Sequence, residues 1–193
     1  MHQPQKINEN LERIIRSHTE LLEILEYLSE IQPQAYVCAG IIRNLVWSYL
    51  HGQNYVLKRT EVDVIFYDAD DLNQVHAQYL SQQLSQRFPK IEWDVTNQAF
   101  VHQWYRLESG ECIEPLHSIV EALSLWPETA TAIAVHLLKN GHLDVIAPFG
   151  LTDLFGLKLR WNNALVSHEI FMQRVNSKKF LERWSNLKLI VDE

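Results

Sequence analysis

The stretch "AGIIRNLVWSYLHG" (39–52) is followed, nine residues past Gly52, by "EVDVIFYD" (61–68), and the two together decide the fold. An apolar run, "AYVC" (35–38), closes on Ala39-Gly40 and passes at once into a helical pattern over 41–50, which Gly52 stops. Residues 61–67 then alternate: Glu61, Asp63, Ile65 and Tyr67 share one face of a strand, and Val62, Val64 and Phe66 share the other. Short strand, glycine turn, buried helix, strand is the opening of an α/β core.

The turn and the acids carry chemistry together. A strand that runs straight into a helix leaves N–H groups unpaired at the helix N-terminus, where the dipole favours an anion. Gly40 lets a ligand approach the backbone closely. Arg43 falls in the first turn, a poor place for a cation unless an anion sits beside it, and a guanidinium suits phosphate oxygens. The Glu61 and Asp63 side chains project from one strand face, roughly 6–7 Å apart at Cβ. Mg²⁺ would remove their repulsion and keep coordination positions open for substrate phosphates. The plainer alternatives are acids at a solvated strand mouth, or a structural bridge from Arg43 to one of them. In the later strand "IEWDVT" (91–96), Asp94, and after it Glu92, could orient an attacking hydroxyl. "NQAFVHQW" (97–104) follows directly; Asn97 and Gln98 could bond a base or ribose, and His102 could reach a phosphate.

At 193 residues the chain can bury one good core, and 47% hydrophobic with 21% charged residues is the composition of a folded protein. A net charge of −7 argues against extended binding to nucleic acid but leaves room for one small basic pocket. Cys38 and Cys112 share no CxxC pattern and read as reduced thiols. No apolar leader or membrane-length run is evident, so a cytoplasmic protein is expected. There is no HExxH or Cys/His zinc spacing, no GxSxG elbow and no GxxxxGK[ST] phosphate loop.

Along the chain, Ile7 to Leu28 recur at three- and four-residue spacing, which predicts one helix over 7–30 ended by Pro33. Asp70 or Asp71 is placed to cap a helix running to about Phe88, and 97–105 reads as a short helical turn. "SIVE" (118–121) is a capping box. Asn140-Gly141, between two apolar runs, predicts a hairpin with a type I′ turn. A final helix is expected over 168–184. The Pro148–Phe155 segment could loop over a base with Phe149 stacking, and Arg160, Arg174, Lys178 and Lys179 are candidates to face the cleft.

The strand–turn–helix–strand order with acid-x-acid resembles the core of the DNA polymerase β nucleotidyltransferase superfamily. Through "AGIIRNLVWSYLHG", "EVDVIFYD", "WDVTNQAFVHQW", "SLWPETATAIAV" and "LDVIAPFGLTDLF", spread over about 36–160, the chain more closely resembles a bacterial nucleotidyltransferase-like family within it. The resemblance implies an α+β fold with a mixed sheet, helices packed on it, and a C-terminal hairpin plus helix. It is read as a single domain over 1–193, with the core at about 33–105 and an extension over 106–193. It further implies Gly40 and Arg43 in a phosphate turn and Glu61 and Asp63 as metal ligands, with Asp94 as third acid. Ala39, Asn44, Thr60, Asn97, Gln98 and His102 complete the expected nucleotide-binding set. Two departures from the superfamily stand out: Ala39-Gly40-Ile41 replaces two small residues in succession, and Glu61 stands where Asp is usual. The expected function is transfer of a nucleoside monophosphate from an NTP, ATP among them, with Mg²⁺ or Mn²⁺, to a small molecule, RNA or protein. The alternative is an inactive nucleotide- or metal-binding protein of the same fold.

Overall fold

The computed structural model describes residues 3–57 and 61–190. Two helices, α1 (Gln3–Arg16) and α2 (Thr19–Ile31), replace the single N-terminal helix that the apolar spacing predicts. The chain breaks at His18, whose extended backbone leaves the helix and whose Nδ1 accepts from Leu21 N at 3.3 Å, capping α2. Periodicity does not register this break, because Leu11, Ile14, Leu21, Ile24, Leu25 and Leu28 all reach the same core.

After α2 come β1 (Tyr36–Cys38), α3 (Gly40–Leu50) and β2 (Val62–Phe66), the elements expected from the opening stretch. Helix α4 (Val75–Arg87) crosses from β2 to β3 (Trp93–Asn97) and makes these strands parallel. Asp71 caps α4, its carboxylate accepting from Val75 N and His76 N at 2.9 and 3.0 Å. A 3₁₀ helix, Gln98–Gln103, follows β3. The Ser118 half of the expected capping box forms at α5 (Ile119–Ser124), where Ser118 Oγ accepts from Glu121 N, while the Glu121 carboxylate accepts from His117 N, one residue before the cap.

β4 (Ala134–Leu137) and β5 (Leu143–Ile146) pair antiparallel as the expected hairpin, with a different turn. Gly141 N bonds Leu138 O, Leu138 N bonds His142 O, and of the two expected residues only Gly141 takes a positive φ. That is a tight turn followed by a glycine bulge rather than type I′, since Asn140 spends its side chain on His142 N. The mixed sheet runs β3-β2-β1-β4-β5, with β1 antiparallel to both neighbours. Beyond it, α6 (Thr152–Phe155) leads to β6 (Lys158–Arg160), which pairs in parallel with β7 (Lys188–Ile190), a pairing the sequence pattern does not show.

The expected final helix is also two: α7 (His168–Ser177) and α8 (Phe180–Arg183), broken at Lys179, which sits left-handed at φ 52°. The break turns Phe180 and Trp184 back onto Trp47 of α3, with ring centroids 5.9 and 5.2 Å from it. The sheet thus has two differently used faces. Val37, Val62, Val64, Phe66 and Val135 point into the main core under the helices. Cys38, Ile65 and Ala134 point the other way, into a smaller apolar cluster with Ile119 and Leu123. The strand alternation puts Asp63 and Asp94 on this second face. Among the described residues no helix is long and apolar enough to cross a membrane.

Candidate active site

Strand β1 enters α3 through Ala39, which takes φ 60° and ψ −124°. A glycine adopts that conformation freely; an alanine is strained there. The turn is held by Ala39 N bonding Ile133 O at 3.0 Å, while Ala39 O accepts from Arg43 N. No side chain caps the helix start, so its first N–H groups face a cleft of about 850 Å³.

One wall of the cleft is acidic. Asp63 and Asp94 are register partners on parallel β2 and β3, and Glu61 lies two residues before Asp63. Adjacent strands are about 4.8 Å apart, so the carboxylates are neighbours. Thr96 Oγ1 donates to Asp94 Oδ1 at 3.0 Å. Burial, then the charges of Asp94 and Glu61, push the Asp63 carboxyl up to about 6, against the pull of Arg43 and Lys178. Burial, then the charges of Asp63 and Asp94, raises the thiol of Cys38, the β1 register partner of Asp63. Among the described residues no three His, Cys, Asp or Glu side chains group closely enough to hold a metal ion by themselves.

The facing wall is basic, and most of it comes from the far end of the chain: Arg43 of α3, Arg174 and Lys178 around the end of α7, and Arg183 of α8. Arg43 is buried at 4% exposure, donates to Asn44 Oδ1 and to Thr131 Oγ1, and lies over the Phe180 ring at 4.5 Å. These bonds occupy Nε and one hydrogen on each terminal nitrogen, which leaves two N–H donors. Burial lowers its pKa to about 10, so it stays charged at neutral pH. Glu128, with 0% exposure, takes Arg174 Nε on Oε1 at 2.9 Å and lines the same cleft. Burial and the nearby Arg174 and Arg43 lower the Lys178 pKa.

The structure gathers Ala39, Gly40, Arg43, Asn44, Glu61, Asp63, Asp94 and Gln98 around this cleft. Asn97 and His102 are not among its lining residues. Asn97 is consumed structurally, bonding Asp68 N, Asp68 O and Ala99 N at 2.8–3.2 Å. His102 turns Nδ1 into a buried position with no partner among the described residues. Glu92 is exposed outside the cleft, and Thr60 lies outside the described residues. The segment with Phe149 packs elsewhere, and Leu154 O of α6 accepts from Trp47 Nε1. Arg160 engages Asp153, and Lys179 reaches Glu182 in solvent, so neither lines the cleft. Sequence reading missed Glu128, Thr131 and Arg183; a glutamate inside the apolar run "SLWPETATAIAV" was the available sign of a buried partner for a cation.

A sequence profile of the family described as Nucleotidyltransferase matches residues 29–189. Among proteins of curated function none matches the chain. An NMR structure described as revealing a CCA-adding enzyme head domain superposes with TM-score 0.79 at 24% identity, over 95% of this chain and 96% of that one. The Thermotoga maritima CCA-adding enzyme complexed with tRNA gives 0.58 at 14% identity, over 98% of this chain and 43% of its own. A CCA-adding enzyme in complex with ATP gives 0.59 at 16% identity, over 93% and 41%. This chain therefore spans less than half the length of those two enzymes. The structural likeness establishes a polymerase-β-like fold, and the profile covers most of the sequence: the chain belongs to a nucleotidyltransferase family.

Proposed function

We propose that this cleft transfers a nucleoside monophosphate from an NTP to an acceptor hydroxyl. One observation carries the reading: three carboxylates, Asp63 on β2, Glu61 just before it and Asp94 on β3, share one cavity with four cations, Arg43, Arg174, Lys178 and Arg183. A triphosphate is the ligand that satisfies both walls. Its oxygens meet Arg43, Arg174, Lys178 and Arg183 together with the uncapped N–H groups of α3.

The acidic wall fits a divalent cation. Burial, then the like charges of Asp94 and Glu61, raises the Asp63 carboxyl, a cost that a cation would relieve, and Mg²⁺ is characteristically bound by one or two carboxylates with phosphates and water completing the octahedron. Asp63 and Glu61 would hold it, with Asp94 beside them; Mn²⁺ suits the same oxygens. Such an ion would polarise the reacting phosphoryl oxygens and neutralise charge on them. The chain's own part is positional. The basic wall fixes the leaving pyrophosphate, the α3 N-terminus holds phosphate oxygens, and Asp94 orients the acceptor hydroxyl for in-line attack at the α-phosphorus. Free Cys38 and Cys112 suit a cytoplasmic setting.

A second reading, nucleotide binding without transfer, draws on the lack of a three-ligand metal group among the described residues and on the strained Ala39. Calorimetry with each Mg·NTP tests the site in both readings. The Glu61→Ala/Asp63→Ala double variant should lose metal-dependent affinity; unchanged affinity would remove the cation from this wall. Pyrophosphate release by the wild type, over pools of small molecules, tRNA and proteins, then separates transfer from binding alone.

A further inference from the structure

β3 is the last strand of the sheet among the described residues, so one of its edges has no strand beside it. Val62 N bonds Glu92 O. In a parallel ladder this phase turns the amides of residues 92, 94 and 96 toward β2 and those of Trp93 and Val95 outward. Along that open edge runs a second groove of about 600 Å³, lined by Trp93, Asp94 and Val95 on the strand side. On the helix side it is lined by Gln78 and Gln82, four residues apart on α4, and by Gln74, which precedes the helix. Each glutamine amide both donates and accepts, as a peptide group does. Trp93 Nε1 is shielded from solvent with no partner among the described residues. Asp94 is common to this groove and to the nucleotide cleft.

We infer that the acceptor is a serine, threonine or tyrosine hydroxyl on an extended segment of another protein, which adds to the edge of β3. This rests on the transferase reading above. The register delivers the hydroxyl. In an antiparallel strand laid against β3, the residue opposite Asp94 makes a non-hydrogen-bonded pair, with Cα atoms about 4.5 Å apart and side chains close together. That side chain enters the row Asp94–Asp63–Cys38 on the site face of the sheet. Its neighbours on either side point to the opposite face, into the groove between Trp93 and the glutamines. The outward amides of Trp93 and Val95 supply main-chain bonds, the mode by which extended peptides extend exposed sheets. Exposed Glu92 and Asp94, on a chain of net charge −7, favour a segment flanked by Lys or Arg and disfavour a polyphosphate backbone. In the transfer, the hydroxyl oxygen bonds the α-phosphorus and the bond from that phosphorus to the α–β bridging oxygen breaks. Pyrophosphate leaves with that bond's electrons, and the hydroxyl proton passes to the Asp94 carboxylate.

The test uses the full chain, Mg²⁺, α-labelled ATP and a library of short peptides centred on Ser, Thr or Tyr, with tRNA and small alcohols as parallel acceptors. Label should enter peptides with basic flanks. Val95→Pro removes an outward donor without touching the bonds to β2. Should that variant fold poorly, Gln78→Lys/Gln82→Lys obstructs the groove from the helix surface instead. Each should cut peptide labelling about tenfold or more, as loss of an anchoring contact does, with Mg·ATP affinity unchanged by calorimetry. Label on tRNA or small alcohols but not on peptides would overturn the inference, as would wild-type peptide labelling in both variants. If the wild type fails to bind Mg·ATP, the transferase reading itself falls.

Discussion

The two walls of the cleft are built on opposite terms. The acidic wall sits on two adjacent strands and is held by backbone register, and burial, then the like charges of Asp94 and Glu61, drives Asp63 up to about 6. The basic wall is assembled from α3, α7 and α8, is stacked on aromatic rings, and carries its own counter-charge in buried Glu128. One wall keeps its like charges side by side; the other is already partly neutralised. A site that is unfavourable until loaded is expected where binding and catalysis, rather than stability, set the residues.

Removing charge from the two walls should therefore have opposite effects on the fold. The largest effect is on activity: Asp63→Ala should reduce nucleotidyl transfer by about 10³-fold, the scale of losing a principal electrostatic contact in a reacting site, measured as pyrophosphate release. On the basic side, Glu128→Ala strips a buried counter-ion from Arg174 and should destabilise by about 3 kcal/mol in urea unfolding. Asp63→Asn should do the reverse and stabilise the metal-free protein by about 2 kcal/mol at pH 7. The sign follows from linkage. The folded Asp63 carboxyl, at about 6, keeps a proton that the unfolded chain releases near 4, so wild-type stability falls as pH rises through that window. The gain from Asp63→Asn should shrink toward pH 4; a gain that stays constant with pH would mean the wall is not strained by charge. The smallest effect tests the turn between the walls. Ala39→Gly frees a strained φ of 60° and should add about 1 kcal/mol, or roughly 2–4 °C in Tm for a chain of this size.

The same contrast separates what the sequence discloses from what it hides. Glu61 and Asp63 are legible because a two-residue spacing on a strand fixes a common face, and Gly40 because strand and helix patterns meet there. Asp94 is legible as a face but not as a register partner, since pairing depends on the crossover through α4. The basic wall is not legible in this way. Arg174 and Lys178 stand in the sequence only as candidates beside Arg160 and Lys179, which do not line the cleft, and Arg183 looks like an ordinary helix charge until the break at Lys179 folds Phe180 onto Arg43. Nothing local marks that break, because lysine has no preference for a left-handed backbone. The N-terminal helix misled for the complementary reason: His18 ends one helix and caps the next without interrupting the apolar stripe. Asn97 shows the limit of residue type as a guide. An amide beside a site serves a ligand or a turn equally well, and here the turn at Asp68 claims it.

The stack that holds Arg43 also gives the protein an optical consequence. Trp47 and Trp184 lie edge to face at 5.2 Å, Arg43 sits over Trp47 at 5.4 Å, and Arg183 covers Trp184 at 4.3 Å. Two indoles thus sense the electric field of the wall that would receive the phosphates. Drawing the Arg43 or Arg183 guanidinium toward an anion changes that field at the rings, so binding at the basic wall should shift the intrinsic emission without any label. The protein carries its own gauge of occupancy, readable with phosphate or pyrophosphate alone before any acceptor is identified.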